Sequence, residues 1–139
     1  MNKILFSIGI LTVFTVALLS GCQQKGTTTN NDFNNITLDS EVVELVYSVL
    51  NYNKDQQGVI LGVEAQYRFR NIVDRNIDVN VFVEFYDLEN NLIAKEGPKE
   101  INLPEGWVEQ GVSPANIISY RGINVAKVDH AIIIVEEKV

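Results

Sequence analysis

The chain contains one cysteine, Cys22, so it cannot form an internal disulfide. It contains one histidine, His130, which removes the usual material of a catalytic triad or a histidine-rich zinc site. Positive charge is also scarce: 11 basic residues face 18 acidic ones, for a formal charge of −7, the reverse of a nucleic-acid binder. No glycine-rich phosphate loop follows a predicted strand. What remains is apolar enough to fold. The hydrophobic fraction is 46% and the charged fraction 21%, and 139 residues suffice for one globular domain. With no disulfide, that domain must hold by core packing alone.

The first 22 residues have their own organisation. Lys3 supplies one positive charge, and Ile4 to Leu19 then runs for 16 residues without another charge. A spanning helix needs about 20 apolar residues, whereas a signal-peptide core is shorter. Leu19-Ser20-Gly21-Cys22 follows, with small residues where a peptidase approaches and a thiol directly after them. This order resembles the lipobox of bacterial lipoproteins. The resemblance implies a signal peptide over 1–21 and a diacylglyceryl-modified Cys22. It also implies a protein anchored at the cell membrane or outer envelope, facing away from the cytoplasm. Two acyl chains anchor a protein stably where one does not.

Residues 22–35 continue as QQKGTTTNNDFNN after the cysteine, polar apart from Phe33. Such a composition predicts a flexible tether. From Ile36 onward the pattern alternates. Val59, Leu61, Val63, Ala65, Tyr67 and Phe69 fall on one face of a strand predicted over 59–70. Ile77, Val79, Val81, Val83 and Phe85 do the same over 77–86. Val43, Leu45, Tyr47 and Val49 mark a strand over 41–52, and the run Ile132 to Val135 marks one over 128–136, buried on both faces or central. Turn residues separate these segments, and Pro98, Pro104-Glu105-Gly106 and Ser113-Pro114 punctuate the rest. At most one helical turn fits, within 113–118. The expectation is an all-β domain over 36–139, an immunoglobulin-like antiparallel β-sandwich.

Val83-Glu84-Phe85-Tyr86-Asp87 resembles the motif that names the FxLYD domain. Asn71 stands upstream, Asn90-Asn91 lies in the next turn, and Leu103-Pro104-Glu105-Gly106 follows. Val83 stands where the motif has its first aromatic, Phe85 where it has leucine, and Glu105 separates Pro104 from Gly106. The resemblance implies a β-sandwich module on a bacterial surface protein, with no assigned activity. The residues themselves read as structural: Phe85 as an inner plug, Tyr86 on the outer face, Asp87 bonding N–H groups of the following turn.

His130 follows Asp129, but strand neighbours point to opposite faces, so the two are not expected to pair. Asp87, Glu89 and Asn90 lack the spacing of an EF-hand calcium loop. Arg68, Arg70 and Glu84 suggest cross-strand ion pairs. Phe82 and Tyr86 share one outer face, and Trp107, Tyr120 and Arg121 lie in turn-rich segments; Trp, Tyr and Arg are the residue types enriched at interface hot spots. The expected function is a non-catalytic module, without cofactor, metal or nucleic acid. It is held to the membrane through the lipid on Cys22 and binds an unidentified envelope protein or glycan. A small envelope enzyme or metal carrier, and a purely structural envelope role, are the alternatives.

Overall fold

The computed structural model describes residues 27–29 and 35–138. The predicted signal peptide, Cys22 and the rest of the tether lie outside the described residues. Among the described residues there are eight strands: β1 (Thr27–Thr29), β2 (Ile36–Asp39), β3 (Val43–Lys54), β4 (Ile60–Asn71), β5 (Ile77–Tyr86), β6 (Leu92–Leu103), β7 (Ile117–Tyr120) and β8 (His130–Glu137). They form a five-stranded sheet, β1-β2-β8-β5-β6, and a three-stranded sheet, β3-β4-β7. The two sheets pack as an all-β sandwich, as the alternation predicts. Single 3₁₀ turns occur at Pro114–Asn116, within the window allowed for one helical turn, and at Val125–Lys127.

The core is built from the alternating faces. Val79, Val81, Val83 and Phe85 of β5 are fully buried against Val63, Ala65, Tyr67 and Phe69 of β4. Ile36 and Leu38 of β2 and Ala131, Ile133 and Val135 of β8 complete the interior. Each fully buried aliphatic or phenyl side chain of this kind contributes roughly 1.5–3 kcal/mol.

Several local expectations are corrected. The sandwich is not wholly antiparallel: β2 runs parallel to β8, Ile36 opposite Ala131. Thr27–Thr29, expected in the tether, pairs antiparallel with β2. In β3, Val43 and Leu45 point inward, but Tyr47 and Val49 do not. A bulge lies between Leu45 and Tyr47, and one extra residue exchanges the two faces of a strand. Ser48 is buried instead, and Leu50 and Tyr52 pack on the core. A second bulge, where Asn53 faces Gly62 and Lys54 faces Ile60, leaves Leu61 as the extra residue. Val59 and Leu61 are consequently more than half exposed, while Ile60 turns to the core.

β6 is a continuous strand through Pro98, which the sequence pattern treats as a break. It lies at a sheet edge, where a residue without an N–H is tolerated. Gly97-Pro98, a cis peptide, forms a bulge opposite Phe82. Gly97 has φ +120°, and a Cβ there would stand 2.6 Å from the Val81 carbonyl oxygen, so only glycine fits.

The loops gather at two ends. At the Asn71 end lie the starts of β3 and β5 and the finish of β4 and β6. At the Tyr120 end lie the β3–β4 turn, the β5–β6 turn and the β7–β8 loop.

Candidate functional site

Asn71 is buried and organises the end that carries its name. Its side-chain Nδ2 donates to the carbonyls of Arg75 (2.8 Å), Leu103 (3.0 Å) and Pro104 (3.0 Å). Its Oδ1 accepts from the Val73 N–H at 2.9 Å. One amide therefore joins the β4–β5 turn to the end of β6. Pro104 to Trp107 then turns tightly: the Trp107 N–H donates to the Pro104 carbonyl at 3.0 Å, and Gly106 has φ +66°. Positive φ at that position is the glycine requirement of a type II turn.

The chain leaving this turn runs along the edge of β4. The Trp107 carbonyl accepts from the Asn71 N–H at 2.9 Å, and the Glu109 N–H donates to the Phe69 carbonyl at 3.0 Å. The Glu109 carboxylate accepts the Phe69 N–H at 2.7 Å and binds the amide of buried Asn116. Tyr67 donates from its hydroxyl to the Ala115 carbonyl at 3.1 Å. Burial, reinforced by Glu109, pushes the Tyr67 phenol well above its ordinary range. The backbone of Trp107 is thus held from both sides while its side chain stays half exposed, at 48%. Ile72, at the same end, is 52% exposed.

Tyr120 and Arg121 lie elsewhere. Tyr120 pairs with Val63, whereas Trp107 bonds to Asn71, eight residues along β4. At about 3.3 Å per residue the separation is roughly 26 Å. Tyr120 stacks on Phe85 with centroids 5.9 Å apart, and its hydroxyl donates to the Ile123 carbonyl at 2.5 Å. A Cβ on Gly122 would meet the Tyr120 ring at 2.5 Å, so the loop closes over the ring at a glycine. Arg121 extends into solvent, 3.9 Å from Glu64.

Phe82 and Tyr86 occupy the outer face of the larger sheet and are both partly covered. The Lys95 ammonium lies 5.1 Å from the Phe82 ring centroid. Tyr86 stacks on His130 at 5.4 Å, nearly parallel, and donates to the Glu84 carboxylate at 2.5 Å. That bond raises the Tyr86 phenol to about 12 and lowers Glu84, which Lys95 also holds at 3.0 Å. The five predicted contact residues therefore do not share one surface.

The motif residues behave as structural parts. Val83 and Phe85 are fully buried. Asp87 Oδ1 accepts from the N–H groups of Glu89 (3.1 Å) and Asn91 (2.8 Å), and the Asn91 amide reaches both carboxylate oxygens. These bonds, the Asn91 side chain first, hold the Asp87 carboxyl below its usual range.

Two pairing expectations are corrected. His130 and Asp129 do meet, Nδ1 to Oδ2 at 3.1 Å, because Asp129 precedes β8 and is not bound by strand alternation. Arg68, Arg70 and Glu84 do not pair, because β4 and β5, consecutive in sequence, belong to different sheets. Arg70 binds Glu44 at 2.6 Å, and the Arg68 guanidinium lies 4.8 Å from the Tyr47 ring centroid. Glu109 and Asn116 were not singled out by sequence reasoning. Their only local signal is a polar pair within a turn-rich stretch.

Among the described residues, no three His, Cys, Asp or Glu side chains are grouped to hold a metal ion. No family model matches the chain, and no curated protein matches it. Among solved structures it is similar to the crystal structure of Campylobacter jejuni cj0090, with 14% identity, a TM-score of 0.44, and coverage of 76% of this chain and 99% of that one.

Proposed function

We propose that this chain is a lipid-anchored envelope protein whose sandwich is a non-catalytic interaction module, with Trp107 as its contact to a partner protein. The lipobox-like Leu19 to Cys22 and the polar stretch after it support the anchor. One observation carries the interaction: a half-exposed tryptophan whose backbone is fixed to the frame on both sides. A rigidly presented aromatic loses little freedom on binding. Ile72, also large, apolar and exposed at this end, favours a protein surface; a glycan subsite needs several convergent polar groups around the ring. The likeness to FxLYD modules belongs to the same reading. Its Asn71 and Leu103-Pro104 brace the turn that leads into Trp107, and its Asp87 braces the β5–β6 turn at the opposite end.

The test is a photo-crosslinking residue at position 107 in living cells, beside the melting temperature of Trp107→Ala. A discrete protein adduct with little change in melting supports the module. No adduct, an adduct to glycan alone, or a large loss of melting temperature with partner capture intact overturns the role of Trp107. For the anchor, Cys22→Ser should release the protein from membranes or leave it unprocessed. Normal cleavage with continued membrane attachment would remove Cys22 from that role.

A further inference from the structure

We propose that the Tyr120 end is the face this domain lays against a lipid bilayer, with Leu88 and Ile123 entering the headgroup region. This rests on the anchored reading above. Large apolar side chains are exposed unevenly. Among the described residues, Ile123 is 85% exposed and Leu88 74%, and Val59, Leu61 and Leu92 at the same end are each more than half exposed. The two most exposed stand on adjoining loops: the Asp129 N–H donates to the Tyr86 carbonyl at 2.8 Å, and Lys127 is close enough to Asp87 to help lower its carboxyl. These side chains are aliphatic. Leu and Val are under-represented at protein hot spots, whereas a bilayer takes any apolar tip.

Charge favours the same orientation. At the Tyr120 end, Lys54, Arg121 and Lys127 face Asp55, Glu64, Asp87, Glu89 and Asp129, a modest excess of negative charge. The Asn71 end is acidic: Glu41, Asp74, Asp78, Glu105, Glu136 and Glu137 outnumber Arg75 and Lys138. An anionic bilayer repels that end. With the less acidic end down, the more acidic end stands about 36 Å away along β4, at about 3.3 Å per residue. That is several Debye lengths at physiological salt, each roughly 8 Å.

The covalent leash allows this contact. Thr27 pairs with Asp39, Asp39 with Ile134, and Ile134 with Phe82. The level of Tyr86 and His130 lies four residues lower, roughly 13 Å. The five residue steps from Cys22 to Thr27 span at most about 18 Å. A lipid on Cys22 therefore reaches the plane of the Tyr120 end.

The chain's single tryptophan and single cysteine make a direct test possible. The chain from Cys22 onward is coupled through that thiol to a maleimide phospholipid, in vesicles of phosphatidylethanolamine and phosphatidylglycerol. Two proteins are compared: one with the native Trp107, and Trp107→Phe carrying Ile123→Trp. Brominated lipid should quench the residue-123 reporter several-fold more than Trp107, and Leu88→Asp should weaken that quenching while the tether stays intact. Stronger quenching of Trp107, equal quenching of both, or quenching of neither overturns the orientation. Mass spectrometry of cell-purified protein separately reads the native anchor. An unmodified Cys22 defeats the anchored reading whatever the vesicles show, and a lipidated Cys22 with an unquenched reporter defeats only the orientation.

Discussion

The two ends of the sandwich are closed by different means. At the Asn71 end, polar side chains bind backbone: Asn71 takes three carbonyls and one N–H, and Glu109 takes an N–H of β4. At the Tyr120 end, rings do most of the closing. Tyr120 stacks on Phe85, Tyr86 on His130, and Tyr52 donates to the Val128 carbonyl at 3.0 Å. Burial, then Asp129, raises the Tyr52 phenol above its ordinary value. The difference follows from what each end must satisfy. The Asn71 end joins two sheets where strand ladders stop, leaving backbone groups that need partners. The Tyr120 end already has its turns closed by Asp55 and Asp87, and needs filling instead. The polar closure leaves a tryptophan displayed; the aromatic closure leaves aliphatic loop tips uncovered.

If that contrast holds, Asn71→Ala has the largest effect. It leaves the buried Leu103 carbonyl and the Val73 N–H short of partners, and each such loss costs about 1–3 kcal/mol; the Pro104 carbonyl keeps the Trp107 N–H. A total of about 3 kcal/mol or more is expected, seen as a fall of about 12 °C or more in melting temperature. Asn71→Asp sharpens the reading. It keeps the acceptor for Val73 but faces three carbonyls with another acceptor, so it should be no better than alanine. A mild effect of either variant would mean that the polar closure carries little of the stability.

At the other end, Tyr120→Ala should cost about 2 kcal/mol, less than a fully buried ring, because the side chain is only partly covered. Tyr120→Phe keeps the stack on Phe85 and loses the bond to Ile123, so about 1 kcal/mol is expected. Chemical denaturation of both variants separates filling from hydrogen bonding. If phenylalanine is as costly as alanine, this end too is held mainly by polar bonds, and the contrast fails.

How much of this was legible depended on whether a strand keeps one register. β5 does at its inner face: Ile77, Val79, Val81, Val83 and Phe85 are all buried, and its bounds match the pattern. β3 and the start of β4 do not, because bulges exchange their faces, and a bulge leaves no period of its own. The pairing of Arg68 with Glu84 failed for a related reason. Alternation identifies strands but not which sheet each joins, and β4 and β5 separate. Pro98 concealed β6 because an edge position is a property of the assembled sheet. Asp87 was readable because its bonds are local. Glu109 was not, because its partner Phe69 lies 40 residues away.

The smallest effect concerns the turn that carries Leu88. Asp87 accepts two N–H groups and the Asn91 amide, and its folded pKa lies below the unfolded value of about 3.9. A carboxyl lowered in this way binds fewer protons folded than unfolded. Its contribution is therefore present above the unfolded pKa and is lost as pH falls through the folded one. Asp87→Asn keeps an oxygen to accept from Glu89 and Asn91 but removes the charge. The variant should melt slightly below the native protein at pH 7, and the gap should close as pH falls through the carboxylate range. Melting curves between pH 7 and pH 3 read this directly. Asn91→Ala should produce the same convergence in weaker form, because the Asn91 side chain is the leading cause of the shift. A gap that stays constant across the series would show that the turn needs only the oxygen, leaving the charge of Asp87 without a part in closing the Tyr120 end.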